Sequence, residues 1–359
     1  MTRTTGQEDT SRGELPSISV LIPAYNCSST LRRTLESVRA QSLQPLETIV
    51  VDDASSDDTP GLAREHGARI IVNASNLGPA ASRNIAAHSA RGEILVFLDS
   101  DVVLPASMLH DFAMTMRNMP DVAAVQTLYS PVCPVPGLVT AYQNFYYHYS
   151  LARMRRTFVA VLATWCVALR KAVFEEAGGF NESIPEPTVE DEELGYALTD
   201  DGYRILLAKG LIVTHLASYG LGSFLRRRAR MATAQAKSGL RSIRNRLLKR
   251  YANIRETGTH HSRWVVLSIL LVMAAAAAVP GWAVSIAASG RVSWGGPLVS
   301  LGCLLLALVC HLPFLRSARK RLGARRALAF AVLVLADMAA LGWGVARGTA
   351  QFVIAGKKY

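Results

Sequence analysis

Acidic residues almost disappear from this 359-residue chain after position 220: residues 221–359 hold two, Glu256 and Asp337, against 22 lysines and arginines. Residues 1–220 lean the other way, with 17 basic and 25 acidic side chains, so the net charge of +12 belongs to the C-terminal part. Cysteine is scarce too. The five present are an odd number without a CxxC pair, which argues against a disulfide framework or a zinc site and suits a reducing, cytosol-facing compartment. The N-terminal stretch MTRTTGQEDTSRGELPS lacks the apolar run of a signal peptide and reads as a disordered tail over residues 1–16. A nucleic-acid protein would place its basic excess on the soluble domain, whereas residues 1–220 are net acidic, which argues against nucleic acid as a partner. The basic residues coincide instead with long apolar runs, the combination expected at a membrane surface.

Three apolar segments, about residues 265–288, 297–315 and 327–346, each reach the roughly 20 residues that cross a hydrocarbon layer of about 30 Å. Ahead of them Leu240, Ile243, Leu247, Tyr251 and Ile254 recur at helical spacing among arginines and lysines, the pattern of a helix lying in the membrane interface. The second loop carries Arg316, Arg319, Lys320, Arg321, Arg325 and Arg326, and the first only Arg291. The large N-terminal domain is therefore expected on the cytoplasmic side of a multi-pass protein of the cell (inner) membrane. Three spans would leave the tail with Arg347, Lys357 and Lys358 outside, against the same rule, unless the third segment is re-entrant. Asp337, near the middle of that segment, is expected to make a helix–helix hydrogen bond.

The N-terminal half alternates β-rich runs (18–25, 47–55, 68–75, 93–101) with helix-like ones (28–42, 57–67, 79–90). Continuous apolar strands separated by helices predict an α/β fold with a mostly parallel sheet covered on both faces. Ligands in such sheets sit beyond the carboxyl ends of the strands. Three of the four strands end there in polar groups: Tyr25-Asn26, Asp52-Asp53 and Asp99-Ser100-Asp101. Two carboxylates one residue apart offer oxygen ligands to a hard divalent cation, Mg²⁺ or Mn²⁺, of the kind that accompanies phosphates.

These residues fall into blocks: SVLIPAYN (19–26), IVVDDASSDDT (49–59), NLGPAASRN (76–84), GEILVFLDSD (92–101), KAVFEEAGGFNES (171–183), VEDEELGYAL (189–198) and GYRILLAKGLIVTH (202–215). In content, order and spacing they resemble the family 2 glycosyltransferases, inverting enzymes of GT-A fold that use nucleotide-sugar donors. The resemblance implies roles by position. Asp101 would hold the metal, Asp99 would bond ribose or a metal-bound water, and His215 would complete the coordination. Pro23, Ala24 and Tyr25 would bracket the nucleobase, with Asp52 or, preferred, Asp53 accepting the imide N–H of uracil. Arg83 and Ser100 would lie near base and phosphates. Asp191 would be the general base that takes the proton of an acceptor hydroxyl, with Glu190, Glu192 and Glu193 supporting it. The Gly178-Gly179 turn would let backbone approach the donor sugar. Trp165, Glu190 and Arg226 complete the candidates, as acceptor or phosphate contacts.

A base suits a hydroxyl acceptor, since a polyprenyl phosphate is already an anion. The QxxRW motif of polymer-making relatives is absent; its nearest counterpart is Phe224-Leu225-Arg226-Arg227-Arg228. The cluster Tyr142, Phe145, Tyr146, Tyr147 and Tyr149 is either an acceptor or lipid platform or core packing. The expected organisation is a GT-A domain over 17–220, basic amphipathic helices over 221–262, about three membrane helices over 263–350 and a tail over 351–359. The expected function is transfer of a sugar from a nucleoside diphosphate, uridine by family habit, to a hydroxyl of a lipid-linked acceptor at the bilayer. A polyprenyl-phosphate glycosyltransferase, a small polysaccharide synthase and a catalytically silent membrane scaffold stay open as alternatives. No feature sets an oligomeric state.

Overall fold

The computed structural model describes residues 14–184, 187–244, 263–289 and 294–356. Four parallel strands, β1 (Ile18–Ala24), β2 (Glu47–Asp52), β3 (Arg69–Val72) and β4 (Ile94–Leu98), stand in the order β3-β2-β1-β4. Helices α1 (Ser28–Arg39), α2 (Thr59–Glu65) and α3 (Pro79–Ser89) connect them, as the alternation of the sequence predicts. Every residue of β4 is buried, because alternate side chains feed two separate cores. Ile94, Val96 and Leu98 pack with Phe112 and Leu31 on one face; Leu95 and Phe97 pack with Ile49, Val51 and Phe174 on the other.

Beyond β4 the sheet stops being parallel. β8 (Cys166–Arg170) lies antiparallel to both β4 and β6 (Val122–Tyr129), and β6 runs parallel to β9 (Arg204–His215). Two short strands, β5 (Val102–Val103) and β7 (Phe158–Val159), pair antiparallel with β9. The sheet is thus mixed, parallel in its first half only. Helices α4 (Met108–Asn118), α5 (Leu138–Ala152), α6 (Lys171–Glu176) and α7 (Glu190–Asp200) complete the α/β part.

A third core joins this part to the C-terminal helices α8 (Leu221–Arg244), α9 (Arg263–Ser289), α10 (Gly295–Cys310), α11 (Leu312–Leu322) and α12 (Ala324–Val353). Among the described residues, only α9 and α12 are by themselves long and apolar enough to cross a membrane. The second apolar segment is not one straight span, because α10 and α11 meet at 61°. Pro313 lies in the first turn of α11, lacks an N–H and disfavours helix in the residue before it, which breaks the run there. The basic residues 316–321, expected in a loop, are helical in α11. The third segment is an unbroken helix of 30 residues, so its re-entrant reading does not hold.

The basic stretch is helical through Arg244. Leu247, Tyr251 and Ile254 lie outside the described residues, as does the Ile243 side chain. The described part of α8 packs along α12. Gly344 and Gly348 let the two axes come close: a Cβ on either would stand 2.3 Å from the Ala229 carbonyl oxygen or 2.5 Å from that of Thr233. Asp337 makes more than the expected hydrogen bond. Its carboxylate takes a two-point ion pair from Arg228, Nη2 to Oδ2 at 3.0 Å, and a hydrogen bond from the Tyr142 hydroxyl at 3.0 Å.

Candidate active site

Asp52 and Asp53 end β2 side by side but serve different ends. Asp53 turns back on its own chain. Its Oδ1 accepts the Leu77 N–H and Asn73 Nδ2, its Oδ2 accepts the Gly78 N–H, all at 2.8 Å. These bonds close the loop into α3, where Gly78 adopts φ +89°. Asp52 is equally buried, yet its Oδ1 has no partner and its Oδ2 accepts only the Ser55 N–H at 3.3 Å. The geometry therefore leaves Asp52, not the preferred Asp53, as the freer acceptor. Across the register from Asp52 stands Ala24, and after it Tyr25 is 53% exposed beside this opening.

The Asp99-Ser100-Asp101 turn is held from three sides. The Asp99 N–H donates to the Trp165 carbonyl at 3.0 Å, and Thr34 Oγ1 donates to the Ser100 carbonyl at 3.0 Å. Pairing of Val102 with His215 draws the end of β9 against Asp101, placing His215 Nε2 3.3 Å from Asp101 Oδ2. Tyr129, at the end of β6, stacks on His215 at 4.5 Å and on Trp165 at 4.6 Å between ring centroids. Burial raises the Asp99 carboxyl above the usual carboxylate range, restrained by Arg83. Burial acts upward on Asp101 as well, but His215 and Arg227 outweigh it and hold that carboxyl low.

Among the described residues no three His, Cys, Asp or Glu side chains by themselves enclose an ion. Asp101 and His215 face one another with the buried His215 Nδ1 unpartnered, and Asp99 has Oδ1 committed to Arg83 at 3.0 Å. Two carboxylates and an imidazole at a strand edge fit a divalent cation that takes its remaining ligands from a diphosphate.

Arg83 is not at the surface. It is 5% exposed and bridges two elements, Nη2 to Asp99 Oδ1 and Nη1 to Glu190 Oε1, each at 3.0 Å. Glu190 opens α7, whose first turn holds Glu190, Asp191, Glu192 and Glu193 where the helix dipole favours anions. Asp191 accepts the Glu192 N–H at 2.8 Å and the Thr164 N–H at 3.4 Å. Burial, then the charges of Glu190 and Glu192, push its carboxyl well above the ordinary range. Glu192 is pushed up to about 7, by burial first, against the hydrogen bond it accepts from Gln235 of α8 at 2.7 Å. Glu193 takes Asn181, Ser238 and Arg241, so α8 braces the turn that carries Asp191.

Asp99 and Asp191 line one cavity of about 140 Å³. Its lining brings these two acids, Arg83 and Glu190 together with the apolar Leu151, Met154 and Val159. Trp165 lines it, with a buried Nε1 that has no partner, and so does Gln143, whose buried Oε1 is also unpartnered. Arg226 does not reach it. That side chain is exposed, and the next residue, Arg227, points into the cavity and donates to the Tyr219 hydroxyl. Successive residues on a helix differ by about 100°, so the run of three arginines cannot reveal its own phase. Tyr129, Gln143 and Arg227 escape sequence reasoning; only the place of Tyr129 at a strand's carboxyl end hints at its role.

The aromatic cluster divides likewise. Tyr147 faces the cavity, whereas Tyr142, Phe145 and Tyr149 pack on Phe314 of α11. The close approach at Gly179, φ +74°, is to Asn84, whose Oδ1 a Cβ there would meet at 2.8 Å.

The family model described as Glycosyl transferase family 2 matches residues 19–178. The UDP-Glc:alpha-D-GlcNAc-diphosphoundecaprenol beta-1,3-glucosyltransferase WfaP of Escherichia coli is 40% identical over 87 residues, 23% of this chain and 35% of that protein. The O-antigen chain rhamnosyltransferase RfbN of Salmonella typhimurium is 27% identical over 214 residues, 56% of this chain and 67% of its own length. The chain thus spans about a third of the first relative and two thirds of the second. Among solved structures, the mannosyltransferase PcManGT from Pyrobaculum calidifontis, in complex with GDP-Man and Mn²⁺, superposes with a TM-score of 0.58 at 21% identity, covering 90% of this chain and 88% of that one. That likeness concerns the fold and extends well past the α/β part.

Proposed function

This chain is a family 2 glycosyltransferase, and we propose that it transfers a sugar from a nucleoside diphosphate to a hydroxyl of a lipid-linked glycan acceptor at a membrane surface. The observation that carries this reading is the joining of Asp99 and Asp191 in one cavity through Arg83 and Glu190. A transfer has two halves, a leaving diphosphate and an attacking hydroxyl, and these acids serve one each.

On the leaving side, Asp101, His215 and Asp99 are the residues that would hold Mg²⁺ or Mn²⁺. Such an ion, when bound, neutralises charge on the departing diphosphate. Arg227, on the cavity wall, adds a fixed positive charge to the same end. Asp52 accepts from the nucleobase and Tyr25 offers it a face; uracil, with its single imide N–H, suits a lone carboxylate oxygen. On the attacking side, Asp191 orients the acceptor hydroxyl and takes its proton as the bond to the anomeric carbon forms. In-line attack opposite the diphosphate inverts that carbon. The unpartnered Trp165 Nε1 and Gln143 Oε1 provide a donor and an acceptor for further hydroxyls of the incoming sugar. The apolar lining residues Leu151, Met154 and Val159 suit the less polar flank of a sugar ring.

The C-terminal helices keep this site at the bilayer where a lipid-linked acceptor is confined. The arginine-rich flanks support a cytoplasmic position for the catalytic part at the cell membrane. The WfaP enzyme, named for a diphosphoundecaprenol-linked acceptor, is an example of that substrate class. Membranes containing the protein, incubated with labelled nucleotide sugars and a divalent cation, test the reading through the lipid extract. An alkali-stable glycoside whose formation stops with EDTA, Asp101→Ala or Asp191→Ala is expected. A mild-acid-labile sugar phosphate would instead identify a polyprenyl phosphate as acceptor, and undiminished turnover in both variants would refute the mechanism.

A further inference from the structure

Helix α12 is apolar enough to cross a bilayer, but its neighbours do not leave it free to do so. From Ala327 to Gly348 one face of it is buried against other elements. Near its start, Phe330 packs on Phe314, Tyr142 and Phe145. At its middle, Asp337 is paired with Arg228 and Tyr142. Further on, the Gly344 carbonyl accepts Thr233 Oγ1 at 3.1 Å, and Gly348 lies on Thr233 and Ala236.

Ile269 and Met273 of α9 meet Gly342, and much of the remaining cover comes from the catalytic machinery. Helix α5 turns Tyr142 toward α12 and the adjacent Gln143 toward the cavity. Helix α8 holds α12 with Arg228 and Thr233 while Arg227 lines the cavity and Gln235 and Ser238 bind Glu192 and Glu193. Twenty-two helical residues extend about 33 Å, close to the hydrocarbon thickness. Were α12 to stand across the bilayer, α5, α8, the exposed Arg226 and the acidic turn of α7 would stand at hydrocarbon depth with it. Charged groups and irregular backbone are not tolerated there.

We propose that α12 lies along the membrane surface on the catalytic side, and that the chain crosses the bilayer only with α9 and the α10–α11 pair. This rests on the membrane association argued above and revises the number of crossings. The remaining helices fit it. Helices α9 and α10 form a hairpin, with Ser300 Oγ bonded to the Ala275 carbonyl at 2.7 Å and Gly296 packed on Trp282. Both open ends of this hairpin return to the third core, through Val265 and Phe314. The face of α12 turned away from the catalytic part is exposed and apolar: Leu328, Val332, Ala339, Trp343, Ala350 and Val353. Exposed Arg325 and Arg326 precede it and exposed Arg347 falls between Trp343 and Ala350, placed for lipid phosphates. The occupant of the stripe is the bilayer interface itself. Two crossings also return Arg347, Lys357 and Lys358 to the cytoplasmic side, so the arginine-rich flanks and the tail obey one rule.

Single cysteines at Glu65→Cys, Gly295→Cys and Gly356→Cys, in the full chain with its five native cysteines replaced by alanine and in sealed vesicles of both orientations, test this with a membrane-impermeant maleimide. Positions 65 and 356 are expected to label from one side and 295 from the other. Labelling of 356 together with 295 overturns the proposal. Labelling of all three from one side overturns membrane crossing itself, and so separates that failure from this one. Nitroxides at Leu328→Cys, Ala339→Cys and Ala350→Cys provide a second reading. Depths agreeing within about 5 Å, one helical turn, support a surface helix; a profile deepest at 339 and shallow at both ends overturns it.

Discussion

Arg83 and Glu190, 107 positions apart, meet at 3.0 Å with both side chains almost wholly enclosed. The same guanidinium reaches Asp99, so one side chain ties the helix of the proposed base to the strand end proposed to face the diphosphate. Removing it leaves Glu190 buried, and Asp99 a third exposed, without that counter-charge. Arg83→Met is expected to cost about 3–5 kcal/mol of stability and most of the turnover. Arg83→Lys is expected to recover little, since one ammonium cannot span two carboxylates as a fork does. Thermal unfolding in detergent and labelled-sugar transfer check both.

Asp191→Asn keeps the shape of the side chain but cannot take a proton. A fall of about 10²–10⁴ in kcat with little change in donor KM is expected. Burial and two neighbouring acids raise the Asp191 carboxyl, and a base works only when deprotonated. The wild-type rate should therefore rise with pH along a limb lying above the ordinary carboxylate range. Glu192→Gln removes one of the negative charges that hold that proton on, so its limb should move to lower pH. A limb that stays in place in Glu192→Gln would contradict this coupling.

Asp52→Asn and Asp53→Asn separate binding from folding. Asp53 satisfies two backbone N–H groups and Asn73, and an amide cannot accept all three bonds on equal terms. A stability loss of about 1–3 kcal/mol is expected for Asp53→Asn. Asp52→Asn should leave melting nearly unchanged and weaken uridine nucleotide binding, measured by calorimetry.

Arg226→Ala and Arg227→Ala should differ sharply despite their adjacency. Arg226 is exposed and its loss should be near neutral for turnover. Arg227 lines the cavity and bonds Tyr219, and its loss should lower kcat/KM by about tenfold or more, in line with a charge-assisted contact. Initial rates at saturating metal distinguish the two.

The strands β1 to β4 are readable from sequence because each is a short apolar run whose neighbour follows it through a single helix. The second half of the sheet is not. Leu98 faces Cys166 and Val102 faces His215, pairings between distant segments that no local period announces. The same holds for the site. Asp99, Asp101 and Asp191 stand out because carboxylates at strand and helix ends are conspicuous. Arg83 is legible as a residue near base and phosphates, but its bridge from Asp99 to Glu190 is a property of the folded chain alone. The choice between Asp52 and Asp53 turns on which loop each oxygen faces, a property of folded backbone alone.

Arg227 and Arg228 are consecutive, yet one faces the cavity and the other holds Asp337. Because they share a helix, these two tasks are bound to a common angular frame. Adding or deleting one residue before Phe224 would rotate α8 by about 100°, withdrawing an arginine from the sugar site and unseating the membrane-facing helix in the same event. Length variation in this segment should accordingly arrive in steps of three or four residues, whole turns, or in the loop ahead of Leu221 where no phase is kept.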